Sequence, residues 1–278
     1  MASSSEWAPP GVDITKPSVA RVYDCYLGGK DNFAIDREVV EQTKRIFPPD
    51  WEVARGGLDN RRFLQRVVRY LVAEAGIRQF IDFGSGLPTL GNVHEIAQDI
   101  SPQARVVYVD NDPIVLVHAR ALLGDTETTR VLTADLRRPA EILEHERVRE
   151  FIDFSRPVGM LLFAILHHIN DDEDPSGIAA YLRDAMMPGS YLAISHFHNP
   201  GEARPEDSDR AAMCEKLFSE KLGTGRWRTR AEILDYFGDL TLIEPGLVPL
   251  PDWRPDPGDD LSEHPTYHLF LGAVARKS

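Results

Sequence analysis

Apolar residues in the first third of the chain recur every three to four positions, the period of a helix face buried on one side. Val19, Val22, Tyr23 and Tyr26 mark one such face, with Pro17 expected in its first turn and Gly28 and Gly29 ending it. Ile35 to Phe47 predicts a second helix. It carries Asp36 and Glu38 early and Lys44 and Arg45 late, the order the helix dipole favours, and Pro48 and Pro49 stop it. In a third, Phe63/Leu64, Val67/Val68 and Leu71/Val72 form one stripe, with Arg61, Arg62, Arg66 and Arg69 assigned to the opposite, solvated face. Residues 17–76 therefore read as a helical cap or lid, and the polar, Pro-bearing residues 1–16 as a loose tail.

From residue 77 the rhythm changes to short apolar runs alternating with helical segments. RQFIDF, ARVVYVD, TRVLTAD, VGMLLFAIL and SYLAISHF read as strands. Between them lie a helix with Asn92/Glu95 capping-box spacing, a helix from Asp112-Pro113 to Leu123 stopped by Gly124, a charged helix over Pro139–Phe151, and one over Pro175–Met187. The fourth strand is apolar throughout, as when both faces are covered by helices. This βαβα alternation predicts a parallel, doubly wound sheet over 77–278. Helices over Ser208–Leu222 and Thr229–Phe237 follow, then two final strands, LTLIEPG and TYHLFLGAVA.

At 278 residues, 42% hydrophobic, the chain is long enough for a full core. No apolar run approaches the ~20 residues of a membrane span, so no membrane association is expected. The first residues lack a signal-peptide pattern, and Cys25 and Cys214 form no motif; the cytoplasm is the expected compartment. A formal charge of −13 argues against nucleic acid as a partner. The first 70 residues are nearly neutral, whereas segments 171–174, 202–209 and 252–263 hold 13 acidic residues and two arginines. Two readings of those segments stay open: solvated loops, or a mouth attracting a cationic or amine-bearing acceptor.

The turn Asp82-Phe83-Gly84-Ser85-Gly86 is the sharpest local signal. Glycines there let a ligand approach the backbone, and the next helix start favours anionic groups. A dinucleotide fingerprint would need Gly where this chain has Thr89, which disfavours a nicotinamide-dependent oxidoreductase. Asp110, at the second strand's end, stands where an acid accepts from ribose hydroxyls, or else in a solubilising turn. Asp135, ending the third, can face an adenine amino group or cap the next helix.

IDFGSG, Asp110, Asp135 and MMPGSYLAISHF resemble the motif series of class I S-adenosylmethionine-dependent methyltransferases. More narrowly, PSVARVYDCYLGGKDNFAIDRE, NRRFL, GSGLPTLGNVHEIAQ and LHHIND resemble an actinobacterial family of S-adenosyl methyltransferases named from sequence. The resemblance covers nearly the whole chain from Lys16. It implies a Rossmann-like α/β fold, mostly parallel and seven-stranded with an antiparallel last strand, and S-adenosyl-L-methionine as cofactor. Position by position it implies that Gly84, Ser85 and Gly86 meet the methionine part, Asp110 the ribose and Asp135 the adenine. Asn111 and Leu136 would flank the adenine, and Phe163 and Ala164 would lie near the sulfonium.

His167 matches, in part, a base carried by small-molecule O-methyltransferases; the alternative is a loop anchor. His196 and His198 are rival pocket histidines whose spacing could suggest a metal pair, but no acid–histidine cluster of zinc-site form accompanies them, so no metal is expected; His168 is a further substrate-side candidate. Tyr23, Tyr26, Lys30 and Asn32 belong either to a lid hinged at the Gly pair or to the cap's core. Asn60 and Arg61 read as an exposed helix face, with contact to the cofactor carboxylate as the alternative. The expected activity is methyl transfer to a small-molecule oxygen or nitrogen. A regulatory protein that binds the cofactor without turnover is the competing class.

Overall fold

The computed structural model describes residues 12–49, 51, 52, 54–87, 91–122 and 125–278, the stretch 119–122 by its backbone only. Leu123, Gly124, Thr89 and most of the expected tail lie outside the described residues. Three helices come first: α1 (Val19–Tyr26), α2 (Ala34–Lys44) and α3 (Ala54–Ala73). Ser18 is the N-cap of α1, its Oγ accepting from Arg21 N, so Pro17 precedes the helix instead of opening it. Asp36 does more than complement a dipole. Its carboxylate accepts from Phe33 N at 2.8 Å and pairs with Arg21 at 2.8 Å, both side chains buried, which binds α1 to α2.

The sheet-forming region then runs β1 (Gln79–Phe83), α4 (Val93–Ile100), β2 (Arg105–Asp110), α5 (Pro113–Leu122), β3 (Thr129–Thr133), α6 (Pro139–Leu143), α7 (Glu146–Arg149), β4 (Gly159–Phe163), α8 (Pro175–Ala185), β5 (Tyr191–Phe197), α9 (Pro205–Leu222), α10 (Arg230–Asp235), β6 (Thr241–Leu242), β7 (Val248–Pro249) and β8 (Phe270–Arg276). Strand order is β3-β2-β1-β4-β5-β8-β6, parallel from β3 through β5, with β8 antiparallel between β5 and β6. The short β7 is an eighth strand, paired with β8 and invisible in the sequence pattern.

Each face of the sheet has its own core. On one, Ile81, Met160 and Ile194 pack with residues of α6, α7, α8 and α10. On the other, Phe80, Val106, Leu161 and Ala193 pack with the stripe of α3 and with α4. The cap-like helix α3 thus contributes its apolar stripe to the same buried cluster as the strands. Arg66 is a correction: it is buried, not solvated. Its guanidinium donates to the carbonyls of Trp253 (2.9 Å) and Leu250 (2.7 Å) and pairs with Asp259. The helix expected over Pro139–Phe151 breaks in two, with His145 Nδ1 accepting from Arg147 N to start α7.

Strand β4 ends sooner than its apolar run. Ala164 adopts φ 54°, and Leu166–His168 form a 3-10 turn. Ala164 N donates to Ser195 Oγ at 2.9 Å, and this anchors the turn to β5. Among the described residues no helix is long and apolar enough to cross a membrane.

Candidate functional site

At the C-terminal ends of β1, β2 and β4, roofed by α1, lies a cavity of about 430 Å³. The turn after β1 shapes its floor. Gly84 and Gly86 have φ of +68° and +66°, conformations that side chains rarely adopt. A Cβ on Gly84 would stand 2.5 Å from the Ile165 side chain, whereas one on Gly86 would meet nothing within 4 Å. The first glycine is therefore required by packing, and the second leaves backbone bare beside open space.

Asp110 accepts from Gly86 N and Asp112 N, each at 2.9 Å, so one carboxylate joins the glycine turn to the start of α5. Burial still raises its pKa to about 6. Asp82, the one acid in β1, is raised further, to about 7; burial dominates, nearby Arg61 opposes it and Asp110 adds to it. Two carboxyl groups thus border the cavity with less stabilisation than their charge requires. Arg61 donates to Gly91 O, which holds the segment after the glycine turn against α3.

All nine residues expected around the cofactor line this cavity: Gly84, Ser85, Gly86, Asp110, Asn111, Asp135, Leu136, Phe163 and Ala164. Asp135 does not cap α6. It accepts from Arg137 N and pairs with the Arg137 guanidinium, which also holds Glu173, and Asn111 donates to it. Tyr23, Tyr26, His167 and His168 also line the cavity. Lys30, Asn32 and His196 are not among its lining residues. Lys30 is exposed, and Asn32 donates to the Asp24 carboxylate and to Gly29 O, closing the Gly28-Gly29 turn locally. His196 is buried, its Nδ1–H donating to Phe197 O at 2.7 Å.

His167 is fully buried in a stack. Its ring lies 3.5 Å from that of Phe197 at 12°, and Phe197 lies 4.2 Å from Trp227 at 13°. Phe197 N donates to His167 Nδ1 at 3.2 Å. A backbone amide can only donate, so Nδ1 is the acceptor and the ring proton sits on Nε2. Burial, with His168 and His196 adding to it, depresses the pKa well below the usual range. Of the two readings of His167, base or loop anchor, this arrangement favours the anchor: the Nδ1 lone pair is already engaged, and the remaining ring nitrogen is a donor. His168 and His196 are likewise held neutral by burial, with pKa values of about 3.

Asn60 corrects the expected exposed face. It is buried at the centre of a chain of hydrogen bonds crossing the cavity wall. Ala164 N donates to Ser195 Oγ, Ser195 Oγ to Asn60 Oδ1 at 2.6 Å, Asn60 Nδ2 to Tyr23 Oη at 3.0 Å, and Tyr23 Oη to Gly57 O at 3.1 Å. Every donor and acceptor in it is assigned by chemistry. Ser18 Oγ donates to the Asp112 carboxylate, tying α1 to the end of β2 as well.

The acidic segments give the cavity no lining carboxylate, although Glu173 pairs with the lining Arg137. Asp171 pairs with Arg228, Asp207 with Arg204 and Arg210, Asp256 with Arg69, Asp259 with Arg66 and Asp260 with Arg55. Sequence reasoning also missed Ser195, Phe197 and Trp227, and named Asp82 only as the first residue of the glycine turn. A lone acid in QFIDF was a legible signal; the others come together only in three dimensions. Among the described residues, no group of three or more His, Cys, Asp or Glu could hold a metal ion.

A family model described as S-adenosyl methyltransferase matches residues 5–278. A protein provisionally named as a methyltransferase from Thermobifida fusca YX is 44% identical, with a TM-score of 0.90 over 99% of this chain and 100% of that one. A DUF574-family protein from Streptomyces avermitilis is 38% identical, with a TM-score of 0.87 over 96% and 99%. An O-methyltransferase family 2 protein from Planctomyces limnophilus, solved with apigenin, is 16% identical with a TM-score of 0.51 over 92% and 65%, and shares the fold. No curated protein matches this chain significantly.

Proposed function

The chain belongs to the S-adenosyl methyltransferase family, and from that premise we propose that it binds S-adenosyl-L-methionine in the cavity and methylates a small-molecule acceptor. The observation that carries the reading is the pair of buried, under-stabilised carboxyl groups, Asp82 and Asp110, beside the bare backbone at Gly86. Such a pair calls for hydrogen-bond donors and positive charge, and the cofactor's ribose hydroxyls and ammonium bring both. Asp110 would hold the ribose and Asp82 the ammonium. Gly84, Ser85 and Gly86 would border the methionine part, Asn111, Asp135 and Leu136 the adenine, and Phe163 and Ala164 the reactive centre. When bound, S-adenosylmethionine supplies an electrophilic methyl group.

The protein's own share is positioning and the exclusion of water. Helix α1 roofs the cavity through Val22, Tyr23 and Tyr26, held down by the Ser18–Asp112 and Tyr23–Asn60 bonds. A lid over 17–76 would concern α1 and α2 first, since α3 shares the sheet's core. Neutral, internally bonded His167 would shape the acceptor side without taking a proton.

Calorimetric titration of the wild type and Asp110→Ala with S-adenosylhomocysteine tests the binding half. The expected result is saturable binding, abolished in the variant; equal affinity in both would remove Asp110 from the site. Transfer of a labelled methyl group to cell extract separates turnover from binding alone.

A further inference from the structure

Beyond Phe163 the cavity changes character. The charged residues lining it come from α3 and from the ends of β1, β2 and β3; those from Phe197, α9 and the segment 224–227 are all uncharged. His167, Phe197 and Trp227 form a three-ring stack there, with Phe218 edge-on to Phe197 and Trp227 at 6.1 and 5.4 Å. A carboxylate or phosphate in this part would lose its water and find no counter-charge, a cost that disfavours anions, and an ammonium would find only ring faces.

Three side-chain polar atoms on residues of this wall, Trp227 Nε1, His167 Nε2 and Thr224 Oγ1, are buried and have no hydrogen-bond partner. The first is a donor by chemistry, and the second because His167 Nδ1 already accepts from Phe197 N. Unmet buried donors favour a ligand bearing an acceptor oxygen, and an ammonium ion would bring only more donors.

We propose that this aromatic chamber binds a neutral, planar, oxygen-bearing aromatic, a phenol-class molecule, as the acceptor of the reaction proposed above: its oxygen would form the new O–CH3 bond as the sulfonium's C–S bond breaks with the electron pair going to sulfur, and the hydroxyl proton would leave to solvent water. The proposal rests on that reading only for the ligand's role; the chamber's preference stands on its own walls. It also replaces the cationic acceptor that the acidic segments suggested, because arginines hold carboxylates from all three of those segments.

Equilibrium dialysis of the full chain with 1-naphthol, 1-naphthoate, 1-naphthylmethylamine and naphthalene, each with and without S-adenosylhomocysteine, tests it. Naphthol is expected to bind at least about tenfold tighter than either charged probe. Trp227→Phe keeps a ring in the stack and should weaken naphthol about fivefold while leaving naphthalene unchanged. Thr224→Val gives a second donor deletion should the first variant fail to fold. Charged probes binding as tightly as naphthol, no naphthol binding, or an unchanged preference in a folded donor deletion overturns the proposal. Selective naphthol binding by a chain that does not take up S-adenosylhomocysteine supports the chamber and sinks the cofactor reading alone.

Discussion

Ser195 Oγ donates to Asn60 Oδ1 at 2.6 Å, joining residues 135 positions apart and both buried. Through Ser195 the bond reaches Ala164, whose φ of 54° is strained for a residue with a Cβ; through Asn60 it reaches Tyr23 on the roof. Floor and roof of the cavity are therefore held by one directed chain of hydrogen bonds.

Asn60→Ala leaves the buried Ser195 hydroxyl without its acceptor and Tyr23 Oη without its donor, while Ser195 keeps Ala164 N and Tyr23 keeps Gly57 O. It should cost about 2–4 kcal/mol in chemical denaturation. Tyr23→Phe cuts the chain one link later and should cost about 1–2 kcal/mol. Equal, negligible losses for both would show that the chain does not act as a unit.

Cofactor affinity should depend on pH through Asp82 and Asp110. Each is raised by burial, to about 7 and about 6, so below those values a proton must leave before an ammonium or ribose hydroxyl can bind a carboxylate. Affinity for S-adenosylhomocysteine is expected to fall by about tenfold per pH unit below 7 while one proton is released. Calorimetry between pH 8 and 5.5 should show this slope, reduced in Asp82→Asn.

Removing a general base costs about 10²–10⁴ in rate. His167→Asn retains an acceptor near Phe197 N and should lose less than about tenfold in methyl transfer. A loss of a thousandfold in a folded variant, with the pH–rate limb abolished, would restore His167 as the base.

Acid stability separates the buried groups by sign. The imidazoles of His167, His168 and His196 have depressed pKa values, so the unfolded chain takes protons first, and stability present above about pH 6.5 is lost as pH falls towards 3. Asp82 acts oppositely: its raised pKa means the fold binds the proton first between the usual carboxylate value and about 7, which stabilises the fold on acidification. Asp82→Asn should therefore steepen the loss of stability between pH 6.5 and 4, measured by denaturant midpoints. A parallel curve would contradict the assignment.

Arg66 and Arg69 lie three residues apart on α3 and should respond differently. Arg66→Met strands two carbonyls and the Asp259 carboxylate and should cost about 3–5 kcal/mol. Arg69→Met removes an exposed pair with Asp256 and should cost under about 1 kcal/mol. Similar losses would mean that the connection over 250–260 is not held by Arg66.

Periodicity and punctuation were enough to place most of the elements, though not β7 or the break between α6 and α7. The alternation of strands and helices follows from local patterns: the capping box at Asn92/Glu95, the Asp112-Pro113 start of α5, and the apolar run of β4. The glycine turn and the acids ending β2 and β3 were legible because the parallel topology brings successive strand ends to one edge. Burial of polar groups was not. Arg66 and Asn60 look like a solvated helix face because the partners that make burial tolerable, Trp253 O and Ser195 Oγ, come from strands and connections more than 130 residues away. Likewise the partial resemblance of LHHIND to a base-bearing stretch of small-molecule O-methyltransferases left base and loop anchor both open, and only the tertiary contact with Phe197 N showed which nitrogen of His167 holds the proton. The sequence by itself determined most of the strands and helices and where the glycine turn stands. Tertiary structure alone decided which charges are neutralised and which donors are left unmet, because hydrogen bonding and desolvation depend on neighbours that local sequence does not name.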